Sequence, residues 1–329
     1  MGCAPIAGLS QPVAEQTAEG ALEAAWKAGV RYYDTSPWYG RGLSELRLGR
    51  FLRQRPRQEF VISTKVGRTF HRPRDVANYR SGFWAGGLPF EHRFDYTYDG
   101  IMRSYEQSLM RLGLNTVDLL LIHDLDVAEM DGSTDLVAHH FQDLERSGWR
   151  ALESLRRHQE IGAIGAGVNI RGTIAQMLRR FDLDFFLVAM PYTLLDQGIL
   201  EDEFPMCAER GVGVVVGSPF ASGILATGSE CANPMYNYVP APPKIVEKTR
   251  QIEAACARHR VALKAAAIQF LLHHPLVASV LTGSVNAAQA SENARLIDEE
   301  IPSAFWRDLC EQRLINPEAV VGALKERSQ

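Results

Sequence analysis

Cysteine is scarce in this chain of 329 residues. Its five cysteines, Cys3, Cys207, Cys231, Cys256 and Cys310, lie far apart, and no CxxC pair exists. An odd, scattered set argues against a disulfide framework and against a zinc site, and it points to reduced thiols in a cytoplasmic protein. No bound metal is expected. No apolar run reaches the length of a membrane span. The N-terminus lacks the basic start and apolar stretch of a signal peptide. One-signed charge is missing too: 35 Lys and Arg stand against 39 Asp and Glu, a net charge of −4. These charges are spread along the chain, which excludes a basic face for nucleic acid. Low-complexity tracts, short repeats and linkers are absent, so a single domain over residues 1–329 is expected. The 46% hydrophobic and 22% charged fractions are those of a globular enzyme. Such a protein would act on a small molecule as a monomer or small homo-oligomer.

Short β-rich runs alternate with helically spaced segments. The runs are Val30–Asp34, Phe60–Thr64, Val117–Ile122, Ala163–Val168, Phe185–Met190, Val212–Val216 and Ala278–Leu281. Several are nearly continuous in apolar residues, as parallel strands buried on both faces should be. Gly2–Leu9 is the candidate for an eighth strand. Eight βα units predict an α/β fold, a single (β/α)8 TIM barrel with its chemistry at the C-terminal ends of the strands. The alternative is an open doubly wound sheet, but no GxGxxG follows the first strand. Gly165-Ala166-Gly167 supplies only a GxG, which a tight strand-to-helix turn explains equally well. Gly67–Tyr98, rich in Gly, Pro, Arg and aromatics, follows the third strand and is expected to be a long active-site loop. Ala221–Pro243 is expected to be a second loop, held out of regular structure by its prolines.

Titratable groups fall at strand ends. Asp34 closes one run, Lys65 follows another, His123 closes a third, and Tyr39 lies five residues beyond Asp34. Each alone has an ordinary structural explanation: a cap, a solvated strand end, a satisfied histidine, a packed ring. Together they form a mechanism. A phenol titrates near pH 10, about 3 units too high to exchange protons readily at neutrality. An ammonium beside it stabilises the phenolate. A carboxylate keeps the lysine charged and in place, and a neutral imidazole orients the substrate oxygen. The phenol then serves as acid–base while hydride moves to or from a nicotinamide.

These residues resemble the aldo-keto reductase superfamily. The resemblance rests on Gly29-Val-Arg-Tyr-Tyr-Asp-Thr-Ser-Pro-Trp-Tyr-Gly40, Ser44-Glu45, Ile62-Ser-Thr-Lys65, Ser108-Leu-Met-Arg-Leu-Gly113 and Leu121-Ile-His123, and it covers nearly the whole chain. It implies that Asp34, Tyr39, Lys65 and His123 are the catalytic tetrad. It implies cofactor contacts at Asn169, Ser218, Gly283, Ser284, Gln289, Glu292 and Asn293, on the C-terminal face. Trp38, Phe83, Trp84 and Asp124 are the expected substrate contacts. Three departures matter. Family members that prefer NADP place Lys and Arg where this chain has Gly283 and Gln289, so NAD is expected over NADP. Gly217 stands where an aromatic often stacks on the nicotinamide. The hairpin that plugs the barrel floor is expected to be missing or very short.

Gly86-Gly-Leu-Pro-Phe90, Phe94-Asp-Tyr-Thr-Tyr-Asp-Gly100 and Ile122-His-Asp-Leu-Asp126 resemble the aldose 1-dehydrogenase branch, with its enzymes for L-fucose, D-arabinose or L-galactose and relatives that oxidise pyridoxal. That resemblance implies NAD-dependent oxidation of a cyclic hemiacetal to a lactone. The competing readings are an NADPH-dependent carbonyl reductase, a slow-turnover cofactor-binding regulatory protein, and a Schiff-base aldolase or isomerase on the same barrel.

Overall fold

A computed structural model describes residues 1–9, 11–80 and 82–325. Strands and helices alternate. The strands are β1 Tyr32–Asp34, β2 Val61–Val66, β3 Arg68–His71, β4 Glu91–Phe94, β5 Leu119–His123, β6 Ala163–Val168, β7 Phe185–Val188, β8 Gly213–Val216, β9 Met235–Tyr236, β10 Val239–Pro240 and β11 Val277–Val280. Among the described residues no helix is long and apolar enough to cross a membrane. The chain divides into two compact units.

The first unit comprises Met1–Val168, Gln176–Phe185 and Gly283–Ala294. Its centre is a parallel sheet in the order β1-β2-β5-β6. Register pairs Asp34 with Ser63, Lys65 with Leu121 and His123 with Gly167. Ile62, Leu120, Leu121, Ile122 and Ile164 are fully buried, as expected of strands covered on both faces. Gly165 lies inside β6 rather than in a turn. A Cβ there would stand 2.6 Å from the Phe185 ring, so the glycine makes room for an aromatic. Helix Leu43–Leu52 and helix Tyr98–Leu112 pack beside the sheet, the second capped by the Thr97 hydroxyl and ended by Gly113 at φ 63°.

Two expectations are corrected here. Gly2–Leu9 is not a strand: Gly2 alone bridges to Asp34 and to Gly283, and Pro5–Ala7 turns into a 3-10 helix. Pro5 has no N–H to donate to a ladder, which suits a helical first turn. The segment Gly67–Tyr98 is not wholly irregular either, because it contains the antiparallel pair β3 and β4, with Arg68 opposite Phe94.

The second unit comprises Asn169–Ala175, Phe186–Thr282 and Arg295–Gln329. Most of β7 pairs onward to β8 and β11, which run parallel. Ala265 and Ile268 of helix Leu263–Leu272 form a buried cluster with Leu296, and Trp306 packs edge to face on Phe305 and tilted against Phe270. Within Ala221–Pro243, expected as loop, Ile224–Thr227 is helical and β9 and β10 form a small hairpin. Its turn residues Asn237 and Tyr238 both have positive φ, as a type I′ turn requires. Pro240 is accommodated there because a two-stranded ribbon leaves its missing N–H unneeded.

Candidate active site

The polar half of β2 explains how the site is built. Side chains of a strand alternate between faces. Ser63 and Lys65 therefore turn to one side and Thr64 to the other. Thr64 donates to Glu45 Oε1 at 2.6 Å, and Glu45, fully buried, is paired on its other oxygen with Arg111. Ser63 and Lys65 instead meet Asp34 at the end of the neighbouring strand. Ser63 Oγ donates to Asp34 Oδ1 and Lys65 Nζ to Asp34 Oδ2, each at 2.7 Å.

An ammonium has three hydrogens to donate. Those of Lys65 go to Asp34 Oδ2, to the carbonyl of Thr35 at 2.8 Å and to Tyr39 Oη at 3.1 Å. Lys65 is 1% exposed and Asp34 3%, so both charges are withdrawn from water and held by each other. Tyr39 is only half-buried. Its placement follows from the Ser36-Pro-Trp-Tyr-Gly40 turn. Ser36 Oγ accepts from the Trp38 amide, Ser36 O accepts from the Tyr39 amide, and Gly40 supplies φ 63°. A Cβ on Gly40 would stand 2.9 Å from the side chains of Ala7 and Leu43.

His123 ends β5 and is 5% exposed. Its ring lies edge-on to Tyr39, with centroids 5.9 Å apart. Burial first, then the charges of Arg68 and Lys65, hold its pKa well below the usual imidazole range, so the ring is neutral. The four residues expected as a tetrad are thus brought together within the first unit.

Sequence reasoning overlooked Arg68. It is 2% exposed, and its guanidinium lies 2.9 Å from His123 Nδ1 and 2.9 Å from Asp124 Oδ2. Its other terminal nitrogen donates to Glu129 Oε2 at 3.1 Å. Burial alone would lower its pKa, but Asp124, Tyr96 and Glu129 outweigh that and keep it charged. Burial, then the Asp124 carboxylate, push the Glu129 carboxyl up to about 7, against the opposing pull of Arg68. The signal in the sequence was the Lys65-Val-Gly-Arg68 spacing: a charge three residues past a strand-end lysine, beyond a glycine. Gly67 has φ 107°, and a Cβ on it would stand 2.3 Å from the Tyr96 ring. Tyr96 Oη in turn donates to the His123 carbonyl at 2.6 Å.

Of the expected substrate contacts, Trp38 and Trp84 lie near Tyr39. The Trp84 ring is 5.7 Å from Tyr39 and 6.0 Å from Trp38, but Trp84 is 2% exposed and acts as a wall behind the other two. Trp38 is flanked by the Arg68 and Arg41 guanidinium groups at 5.0 and 5.1 Å, and by His92 at 4.6 Å. Phe83 sits 5.2 Å from Trp84 and is 56% exposed. Asp124 takes the left-handed φ of 50°, backbone strain tolerated beside its ion pair with Arg68.

Expected cofactor positions fall in both units. In the first, Asn293 Nδ2 donates to Gly283 O at 3.1 Å and Ser284 Oγ at 3.0 Å. Gln289 is exposed, and its Oε1 accepts from the Val285 amide at 2.9 Å. Glu292 is half-buried. A Cβ on Gly283 would stand 2.7 Å from Pro5 Cγ, so no longer side chain fits there without displacing Pro5. In the second unit, Asn169 follows β6 and Ser218 follows β8, the latter at φ 51°.

A family model described as the aldo/keto reductase family matches residues 1–312. The chain is 39% identical to D-threo-aldose 1-dehydrogenase from Pseudomonas sp over 319 residues, covering 95% of this chain and 93% of that protein. It is also 39% identical to pyridoxal 4-dehydrogenase from Microbacterium luteolum over 328 residues, 96% of this chain and 94% of the other. In fold it is similar to the holo form of an aldo-keto reductase from Bacillus halodurans, with a TM-score of 0.73 and 23% identity, over 99% of this chain and 93% of that one.

Proposed function

The chain belongs to the aldo/keto reductase family and is an oxidoreductase, and we propose that it oxidises a cyclic hemiacetal to its lactone with NAD, using Tyr39 as general base. The observation that carries this reading is the Lys65 ammonium. It is tied on two sides to Asp34 and Thr35 and aims its third hydrogen at Tyr39 Oη, 3.1 Å away. A buried, fixed cation there favours the phenolate over the phenol.

The bound nicotinamide supplies the hydride acceptor. Everything else falls to the side chains. The Tyr39 phenolate takes the proton of the hemiacetal hydroxyl as its carbon gives up hydride and the C=O bond forms. Lys65 stabilises the phenolate before transfer, and Asp34 holds Lys65. Neutral His123 orients the hydroxyl. Trp38, with Trp84 behind it and Phe83 at the rim, faces the substrate ring, and Asp124 offers an acceptor to a second hydroxyl. Two relatives at 39% identity bear the names of an aldose and a pyridoxal dehydrogenase. L-fucose, D-arabinose and pyridoxal are therefore the substrates to try. NAD is proposed over NADP because Gly283 and Gln289 offer a 2′-phosphate no charge. Asn169, Ser218, Ser284, Glu292 and Asn293 are the proposed cofactor contacts. The same reading proposes one (β/α)8 barrel domain with the cofactor at the C-terminal ends of its strands.

The test is incubation of the purified protein with each substrate and either NAD or NADP, reading the product by mass spectrometry. A lactone with NAD, formed at least about tenfold faster than with NADP, is expected from the loss of one charge-assisted contact or more. An alcohol formed from a carbonyl with NADPH, and no lactone, would replace this reading with that of a reductase.

A further inference from the structure

We propose that Arg68 is a positioning residue of this site, whose guanidinium fixes His123 as a neutral imidazole with its proton on Nε2. The proposal rests on the dehydrogenase reading for its purpose, but its geometry stands apart from that reading.

An arginine side chain donates hydrogen bonds and accepts none. The 2.9 Å approach of Arg68 to His123 Nδ1 therefore requires a lone pair on that nitrogen. Ser36 Oγ is 3.0 Å from the same nitrogen, and it already accepts from the Trp38 amide, which leaves its own hydrogen free to point at Nδ1. With Nδ1 an acceptor, the proton of a neutral ring resides on Nε2. Nε2 lies 3.1 Å from Asp124 Oδ2, and Arg68 holds that same oxygen at 2.9 Å. Arg68 thus holds the imidazole directly at Nδ1 and fixes the carboxylate that lies beside Nε2. A hydroxyl arriving at Nε2 meets a ring of fixed tautomer and fixed tilt.

Arg68 is itself rigidly placed. It opens β3, its carbonyl accepts from Ser104 Oγ at 2.9 Å, and its guanidinium lies between the Trp38 and Phe94 rings at 5.0 and 4.8 Å. The charged and titratable groups around His123 come from six segments. They are Lys65 of β2 with Asp34 of β1 beyond it, Tyr39 of the turn after β1, Arg68 of β3, Tyr96 after β4, and Asp124 with Asp126 and Glu129 after β5. In this set Arg68 is the cation that offsets the carboxylates on the far side of the ring. Without it, the Asp124 carboxylate would face the imidazole uncompensated and favour its protonation. Burial and the Arg68 charge now act the other way, keeping the ring neutral.

The test uses 15N-labelled full-length protein without substrate or cofactor. Ring-nitrogen shifts of the nine histidines are followed with pH, and His123 is assigned by its loss in His123→Gln. In the wild type, His123 Nδ1 should remain unprotonated and Nε2 protonated from about pH 5 to 8, a range in which an ordinary imidazole titrates. In Arg68→Met the His123 signals should titrate inside that window, and Arg68→Lys, which keeps the charge, should shift them less. In turnover assays, Arg68→Met should lose rate about tenfold for each pH unit below the new imidazole pKa, with KM for NAD unchanged. A wild-type ring protonated at Nδ1, or an Arg68→Met titration identical to the wild type, would overturn the proposal. The wild-type spectrum alone decides the tautomer even if Arg68→Met does not fold. If the wild type oxidises no hemiacetal, the dehydrogenase reading fails while the nitrogen shifts still judge Arg68.

Discussion

Replacing Lys65 with methionine removes the charge on which the site is balanced. Methionine matches the length of the lysine stem but donates nothing. Asp34, 3% exposed, would keep only the Ser63 hydroxyl at 2.7 Å. Leaving a buried charge without its partner costs about 3–5 kcal/mol. At roughly 2 °C per kcal/mol for a chain this large, the melting temperature should fall by roughly 6–10 °C. The double variant Asp34→Asn/Lys65→Met abolishes the stranded charge. It should therefore melt above the single Lys65→Met variant, with a coupling of about 1–3 kcal/mol. Turnover in Lys65→Met should drop about 10²–10⁴-fold at neutral pH. Part of it should return as pH nears the ordinary phenol value of about 10, where Tyr39 ionises without help. Differential scanning calorimetry reads the first effect and a pH–rate profile the second. A Lys65→Met protein melting within about 1 °C of the wild type, or a double variant no more stable than the single, would refute the assignment of Lys65 and Asp34 as mutually dependent buried charges.

Gly67→Ala should destabilise by about 1–3 kcal/mol or more, since the left-handed backbone is strained for alanine and its Cβ would strike the Tyr96 ring 2.3 Å away. Urea denaturation giving an unchanged midpoint would contradict this. Glu129→Gln tests the carboxyl raised to about 7 by burial and by Asp124. A carboxyl with a raised folded pKa lends stability below its unfolded value and loses it as pH climbs through about 7. Wild-type stability relative to Glu129→Gln should therefore fall between pH 5.5 and 8, as denaturation at the two pH values would read; a difference that grows with pH would be the wrong sign. Gln289→Arg should tighten NADP binding about tenfold by giving the 2′-phosphate a charged partner; equal affinities in the two proteins by calorimetric titration would remove position 289 from the cofactor site.

Much of the site was legible because its parts sit at the ends of strands buried on both faces. Such strands read as apolar runs, so Asp34, Lys65 and His123 stood out as charged or polar punctuation, and the turn residues between Ser36 and Gly40 marked Tyr39. Arg68 was harder to read for the converse reason, its spacing from Lys65 being a faint signal. It opens a short strand, Arg-Thr-Phe-His, with no apolar alternation, and its burial depends on Asp124 and Glu129, some sixty residues away. The partner strand Glu-His-Arg-Phe is equally polar, so the β3–β4 pair was concealed within an expected loop. Gly2–Leu9 misled because a short apolar stretch reads alike as strand or turn, and Pro5 decided for the turn. Trp84, expected at the substrate, is 2% exposed and packs its ring against Tyr39 and Trp38, a depth that spacing along the chain does not encode.

The most direct test of Tyr39 as the base is NADH formation in wild type and Tyr39→Phe, side by side, with L-fucose, D-arabinose and pyridoxal. Phenylalanine keeps the ring against Trp84 and His123 and removes only the oxygen that Lys65 addresses. The expected result is turnover of at least one substrate by the wild type and a loss of about 10²-fold or more in the variant, with NAD binding intact. Equal rates in the two proteins would contradict the assignment of Tyr39 as the base.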